Sequence, residues 1–133
     1  MGLAMVDSSV LLDIMTRDPN WFAWSAETLE EACETHEICL NPVIYAEVST
    51  NFARIEDLEE ALQAFERRPI PYEAAFLAAK CFRTYRRRSG KRSGVLPDFF
   101  IGAHAAVEDM LLITRDRARF RTCFPKLRIK HPG

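Results

Sequence analysis

Four short apolar runs alternate with longer amphipathic stretches, and that alternation narrows the fold more than any other feature of the chain. The runs are LAMV at 3–6, EICL at 37–40, MLLIT at 110–114 and LRI at 127–129. Short, continuous apolar runs are the signature of strands buried on both faces. The segments between them carry a helical period. Asn41-Pro42 opens one, with asparagine as N-cap and proline at the first helical position, and Ile44, Val48 and Phe52 follow on one face. Others are expected from Ser9, from Ser25 as N-cap of SAETLEEACE, over the stripe Leu58, Ala61, Leu62, Phe65, and across 73–88 and 98–108. Strands that alternate with helices build a parallel sheet covered on both sides. The expected fold class is α/β, a three-layer α/β/α sandwich with a central, mainly parallel sheet.

A chain of 133 residues is expected to form a single domain, 1–133. None of its apolar stretches approaches the roughly 18 residues that span a membrane. MGLAMVDSSVLLDIM lacks a basic leader and is broken by Asp7 and Asp13, so it is read as core rather than signal peptide. Cys33, Cys39, Cys81 and Cys123 show neither CxxC nor zinc spacing, and are expected as reduced, mostly buried thiols of a cytoplasmic protein.

The net charge is −1, yet the charge is uneven. Residues 27–37 carry five glutamates and no lysine or arginine, whereas RRRSGKR places Arg86, Arg87, Arg88, Lys91 and Arg92 within seven positions. Such a strip is compatible with a nucleic-acid partner, or with a solvated loop. Trp21, Phe22 and Trp24 form an aromatic cluster read either as interface or as a satellite core.

Ligands of open α/β sheets collect at the carboxyl ends of the strands. Asp7 follows LAMV, Asp116 follows LLIT, Glu47 lies on the helix after EICL, and Asp98 heads the buried run DFFIGAHA. Each acid alone reads as a turn, cap or solvated residue. Crowded on one rim they repel unless a cation joins them, and hard divalent ions take carboxylate oxygens. Paired with the basic strip, such a site points to phosphodiester hydrolysis by metal-activated water. Asp13 and Asp18 are assigned structural tasks. His104 lies about 240° round the helix from Asp98 and is read as packed or partner-facing, not as a base.

MVDSSVLLD, NPVIYAEVST, GVLPDFFIGAHA and LITRDRARFRTCFP together resemble the PIN-domain ribonucleases, and within them the VapC-like toxins of bacterial toxin–antitoxin pairs. The resemblance spans essentially the whole chain. It implies an endoribonuclease dependent on Mg²⁺ or Mn²⁺, with Asp7, Glu47, Asp98 and Asp116 as catalytic acids. Asp7 and Asp98 match the primary metal ligands, and Asp116 and Glu47 complete the pocket directly or through water. Ser9 and Thr114 match hydroxyls that orient ligands. Arg86, Arg87, Arg88, Lys91 and Arg92 are the expected RNA contacts. The implied partners are RNA, a cognate antitoxin and a second copy in a homodimer.

Two other functions fit less well. A receiver-type phosphoacceptor would want adjacent acids after the first strand, where Asp7 is followed by Ser8-Ser9. A catalytically silent PIN-like RNA-binding module has the same sequence features and separates only by assay.

Overall fold

Five strands, all parallel, carry the chain in a computed structural model that describes residues 2–89 and 96–133. They are β1 (Gly2–Val6), β2 (His36–Leu40), β3 (Glu66–Arg67), β4 (Leu111–Ile113) and β5 (Ile129–Lys130), in the order β3-β2-β1-β4-β5. The described helices are α1 (Ser8–Met15), α2 (Phe22–Thr35), α3 (Pro42–Ser49), α4 (Ile55–Ala61), α5 (Tyr72–Ser89), α6 (Leu96–Val107) and α7 (Arg117–Arg121). Ala4, Met5 and Val6 are all 0% exposed. Successive strand residues face opposite sides of a sheet, so both faces are covered and the α/β/α expectation holds. Among the described residues no helix is long and apolar enough to cross a membrane.

Several local expectations shift. The last strand is Ile129–Lys130, while Leu127 is buried in the loop before it. Glu66–Arg67 is a strand that hydrophobic patterning does not reveal, because a two-residue edge strand with charged side chains carries no apolar signal. Helix α2 begins at Phe22, so Ser25 is not its cap. Asp18 organises that start, accepting from the Asn20 and Trp21 N–H groups at 2.9 Å each. Ser25 is buried within α2 and donates to Asp13 Oδ2 at 2.7 Å, while Arg115 Nη2 donates to Asp13 Oδ1 at 3.1 Å. Asp13 and Asp18 therefore do the structural work expected of them. Asn41 caps α3 as expected, accepting from the Ile44 N–H at 3.0 Å. Phe52 lies beyond the end of α3, and Ala61 of α4 is exposed.

His104 is wholly buried. Asn41 Oδ1 is taken by the helix cap, so its amide nitrogen donates to His104 Nδ1 at 3.1 Å and the ring proton sits on Nε2. Burial lowers its pKa, with Glu108 opposing. The ring is a packed link between the cap of α3 and α6, with Nε2 3.5 Å from Glu108 Oε1. The cysteines are unbridged, but only Cys39 is fully buried; Cys81 and Cys123 are half-buried and Cys33 is exposed. Burial pushes the Cys39 thiol up to about 11 and the Cys81 thiol up to about 12, so neither is a thiolate at neutral pH.

Gly102 lets α6 approach aromatic rings rather than another backbone. A Cβ there would stand 2.5 Å from Phe124 Cε2 and 3.1 Å from Phe120 Cδ1. Gly102→Ala is expected to cost about 1–3 kcal/mol through overpacking, read as a lower midpoint in urea unfolding. An unchanged midpoint would show that the two rings yield freely.

Candidate active site

The sheet grows outward from β1 on one side through β2 and β3, then on the other through β4 and β5. The crevice at the carboxyl ends of β1 and β4 is therefore the topological switch point. Asp7 is the residue that follows β1. Its N–H donates to Ile113 O at 2.9 Å, which locks it to the end of β4. Thr114 Oγ1 and Ser9 Oγ donate to Asp7 Oδ2 at 2.8 and 3.2 Å. Asp7 is 3% exposed. Burial raises its carboxyl above the usual carboxylate range, while those hydroxyls and the charge of Arg119 pull it down.

Helix α6 leads into β4, so it runs against the strands and its first turn returns to the same rim. Asp98 stands in that turn, two residues inside the helix start at Leu96. It is not the N-cap, although the helix N-terminus still favours its charge. Its carboxyl is pushed up to about 6; burial is the largest cause, Arg119 opposes it, and the charges of Asp7 and Glu47 add to it. Glu47 comes from α3, which starts directly after β2, and accepts from Ser8 Oγ at 2.8 Å. The charges of Asp7 and Glu47 thus both reach Asp98 at this rim.

Asp116 belongs to the rim in a different way. Its N–H donates to Thr114 Oγ1 at 3.1 Å, its Oδ1 caps α7 by accepting from the Arg119 N–H at 3.3 Å, and its Oδ2 lies 3.2 Å from Arg119 Nε. Arg119 also reaches Asp98, with Nη1 3.3 Å from Oδ1. The guanidinium joins the two acids.

Sequence reasoning anticipated Ser9 and Thr114 as supports, but not Ser8 as the partner of Glu47, nor Arg119. The one local signal for Arg119 is its position three residues after Asp116, on the same side of a short helix.

Arg86 and Arg87 are exposed on the last turns of α5. Tyr85 in the same turn packs on Phe99, beside Asp98, with ring centroids 5.6 Å apart. The end of α5 that carries Arg86 and Arg87 therefore packs against the first turns of α6. The Arg88 side chain, Lys91 and Arg92 lie outside the described residues. Trp21, Phe22 and Trp24 are each half-buried; Trp24 packs on the core, and Trp21 stands edge-on to it under the Arg115 guanidinium.

Among the described residues no three His, Cys, Asp or Glu side chains form a preset metal cage. The donors at the rim are all carboxylate oxygens, the ligands of hard cations. Mg²⁺ is commonly held by one or two carboxylates and completed by water, so an acidic pocket without a closed cage fits it. A carboxyl pushed up by burial, with like-charged neighbours adding to it, marks a place where one more cation would be favourable.

Sheet order and pocket together define an α/β/α protein whose acids meet at the switch point. The strand order differs from the 2-1-3-4-5 order of receiver-type modules. The chain belongs to the PIN-domain family, whose model matches residues 4–124. Its fold is similar to that of VapBC2 from Rickettsia felis bound to a DNA fragment from the promoter, with TM-score 0.73 and 18% identity over 98% of this chain and 99% of that one. DNA-bound VapBC from Salmonella typhimurium is similar at TM-score 0.71 and 18% identity, over 98% of each chain. FitAcB from Neisseria gonorrhoeae follows at 0.66 and 19%, over 97% of each. No curated protein matches the sequence as a relative.

Proposed function

We propose that this protein is an endoribonuclease dependent on Mg²⁺ or Mn²⁺ and the toxic member of a toxin–antitoxin pair. The observation that carries the reading is the convergence on Asp98, at the switch point, of charge from Asp7 and Glu47, which come from distant parts of the chain. Asp7 and Asp98 would hold the ion, Glu47 would complete the site through water, and Asp116 would act chiefly through Arg119. When bound, the ion would neutralise charge on a phosphodiester and lower the pKa of a water. The chain's own residues do the positioning. Thr114 and Ser9 orient the Asp7 carboxylate, Ser8 orients Glu47, and the first turn of α6 holds Asp98 on a rigid base.

RNA is the substrate favoured by the basic end of α5, packed against the helix that carries Asp98, where Arg86 and Arg87 would take backbone phosphates. The rest of the strip, Arg88, Lys91 and Arg92, is assigned to the same task. The antitoxin partner is inferred from the fold shared with the VapBC and FitAcB complexes. An antitoxin arginine paired with these acids would compete with the ion. The reading also takes in a cytoplasmic setting, one domain and a homodimer, for which the exposed Ile55, Tyr72 and Phe76 offer apolar contact surface.

The test is cleavage of a mixed RNA pool by the purified protein in Mn²⁺ or Mg²⁺, repeated in excess chelator. Cleavage only with metal is expected, and sequencing the new RNA ends identifies the target. Full activity in chelator would overturn the metal mechanism. Binding without cleavage under all conditions would establish the silent RNA-binding module instead.

A further inference from the structure

Arg119 occupies the mouth of the acidic pocket without being one of its acids. Its backbone is fixed, because the Arg119 N–H is bound by Asp116 Oδ1 at 3.3 Å and the adjacent Phe120 is fully buried against α6. Its side chain is not buried: 45% of it is exposed. The guanidinium nevertheless bridges Asp98 and Asp116, at 3.3 and 3.2 Å, and its charge extends to Asp7. Its positive charge offsets the burial of Asp7 and Asp98.

A guanidinium has five donors and no acceptor, so it cannot ligate a metal. It can only compete with one for carboxylate oxygens. Once a divalent ion neutralises Asp98, the attraction that holds Arg119 there weakens. The fork then faces solvent at the rim, and the anion it matches best is a phosphate, which it grips through two parallel N–H donors.

We propose that Arg119 is a built-in counter-ion that trades places: it guards the carboxylates when no metal is bound, and binds a phosphate oxygen of the RNA strand when metal is present. The proposal rests on the metal-site reading of these acids. It assigns to Arg119 both a restraint on metal affinity and a contact with substrate.

These two roles move in opposite directions on substitution, which loss of structure alone would not produce. Titration of the purified protein with Mn²⁺ alone, followed by calorimetry, is expected to show Arg119→Ala binding the ion about tenfold more tightly than wild type. At saturating Mn²⁺ the same variant is expected to lose about tenfold or more in kcat/KM for RNA. Arg119→Lys keeps the charge but not the fork. It should therefore restore most of the restraint on Mn²⁺ and little of the kcat/KM. Unchanged or weaker Mn²⁺ binding by Arg119→Ala would overturn the proposal, as would an unchanged kcat/KM. Asp98→Asn titrated in parallel separates the two levels. If it binds Mn²⁺ as wild type does, the metal-site reading itself fails and the proposal with it. If it binds weakly while Arg119→Ala shows no gain, only the proposal fails.

Discussion

Asp7→Asn is expected to lower RNA cleavage in Mn²⁺ by about 100-fold or more while leaving the chain folded and no less stable. The side chain is almost isosteric, and an amide oxygen still accepts the hydroxyls of Thr114 and Ser9. What disappears is the charge that would hold the ion. The stability half follows from the direction of the pKa shift. Burial raises the Asp7 carboxyl in the folded state. The folded chain therefore holds a proton there more tightly than the unfolded chain, and ionising Asp7 at neutral pH weakens the fold. A neutral asparagine removes that cost. Cleavage assays with melting in chelator at pH 7 check both halves. Activity within a few-fold of wild type would remove Asp7 from the metal site, and a large fall in melting temperature would show that its charge holds the fold together.

Asp98→Asn should change stability in a strongly pH-dependent way. Burial pushes the folded carboxyl up to about 6, from an ordinary 3.8. Below about pH 4 the group is protonated in both states, and the variant should match wild type. Between 4 and 6 the unfolded chain ionises first and wild type loses stability relative to the variant. Above 6 the difference levels off at up to about 3 kcal/mol in favour of asparagine, at about 1.4 kcal/mol per unit. Urea unfolding of both proteins in chelator from pH 4 to 8 measures this curve. A difference that stays flat across the range would mean that Asp98 is not under the pressure of burial and of Asp7 and Glu47. Adding Mn²⁺ at pH 7 should raise wild type by about 2.7 kcal/mol at a hundredfold excess over its dissociation constant, and the variant by much less.

Much of the fold is legible locally. LAMV, EICL and MLLIT became β1, β2 and β4, because a short run of apolar residues has few ways to leave water other than as a buried strand. Asn41-Pro42 opened α3 for reasons contained in two residues: a side chain that accepts a helix N–H and a fixed φ. Failures fell where the deciding contact was distant. Ser25 has the sequence of a cap, but tertiary packing buried it against Asp13. The charged edge strand Glu66–Arg67 exists only because β2 offers it unpaired backbone groups.

The site divides in the same way. The acids were legible as candidates by their places at the ends of apolar runs, and by resemblance to a family. Their grouping was not. Thr114 and Asp7 are separated by 107 positions, Ser8 and Glu47 by 39, and no periodicity links either pair. Arg119 looked like one more base in a basic helical turn until the sheet order brought α7 against the first turn of α6. By itself the sequence determined most of the element types, the parallel class of the sheet and the residues able to carry negative charge at its edge, since these follow from local propensity and burial of single segments. Only the tertiary structure decided which carboxylates share a pocket, which hydroxyls aim them and which guanidinium stands between them. Those depend on strand order, and strand order is settled by burying all the apolar faces of the chain at once.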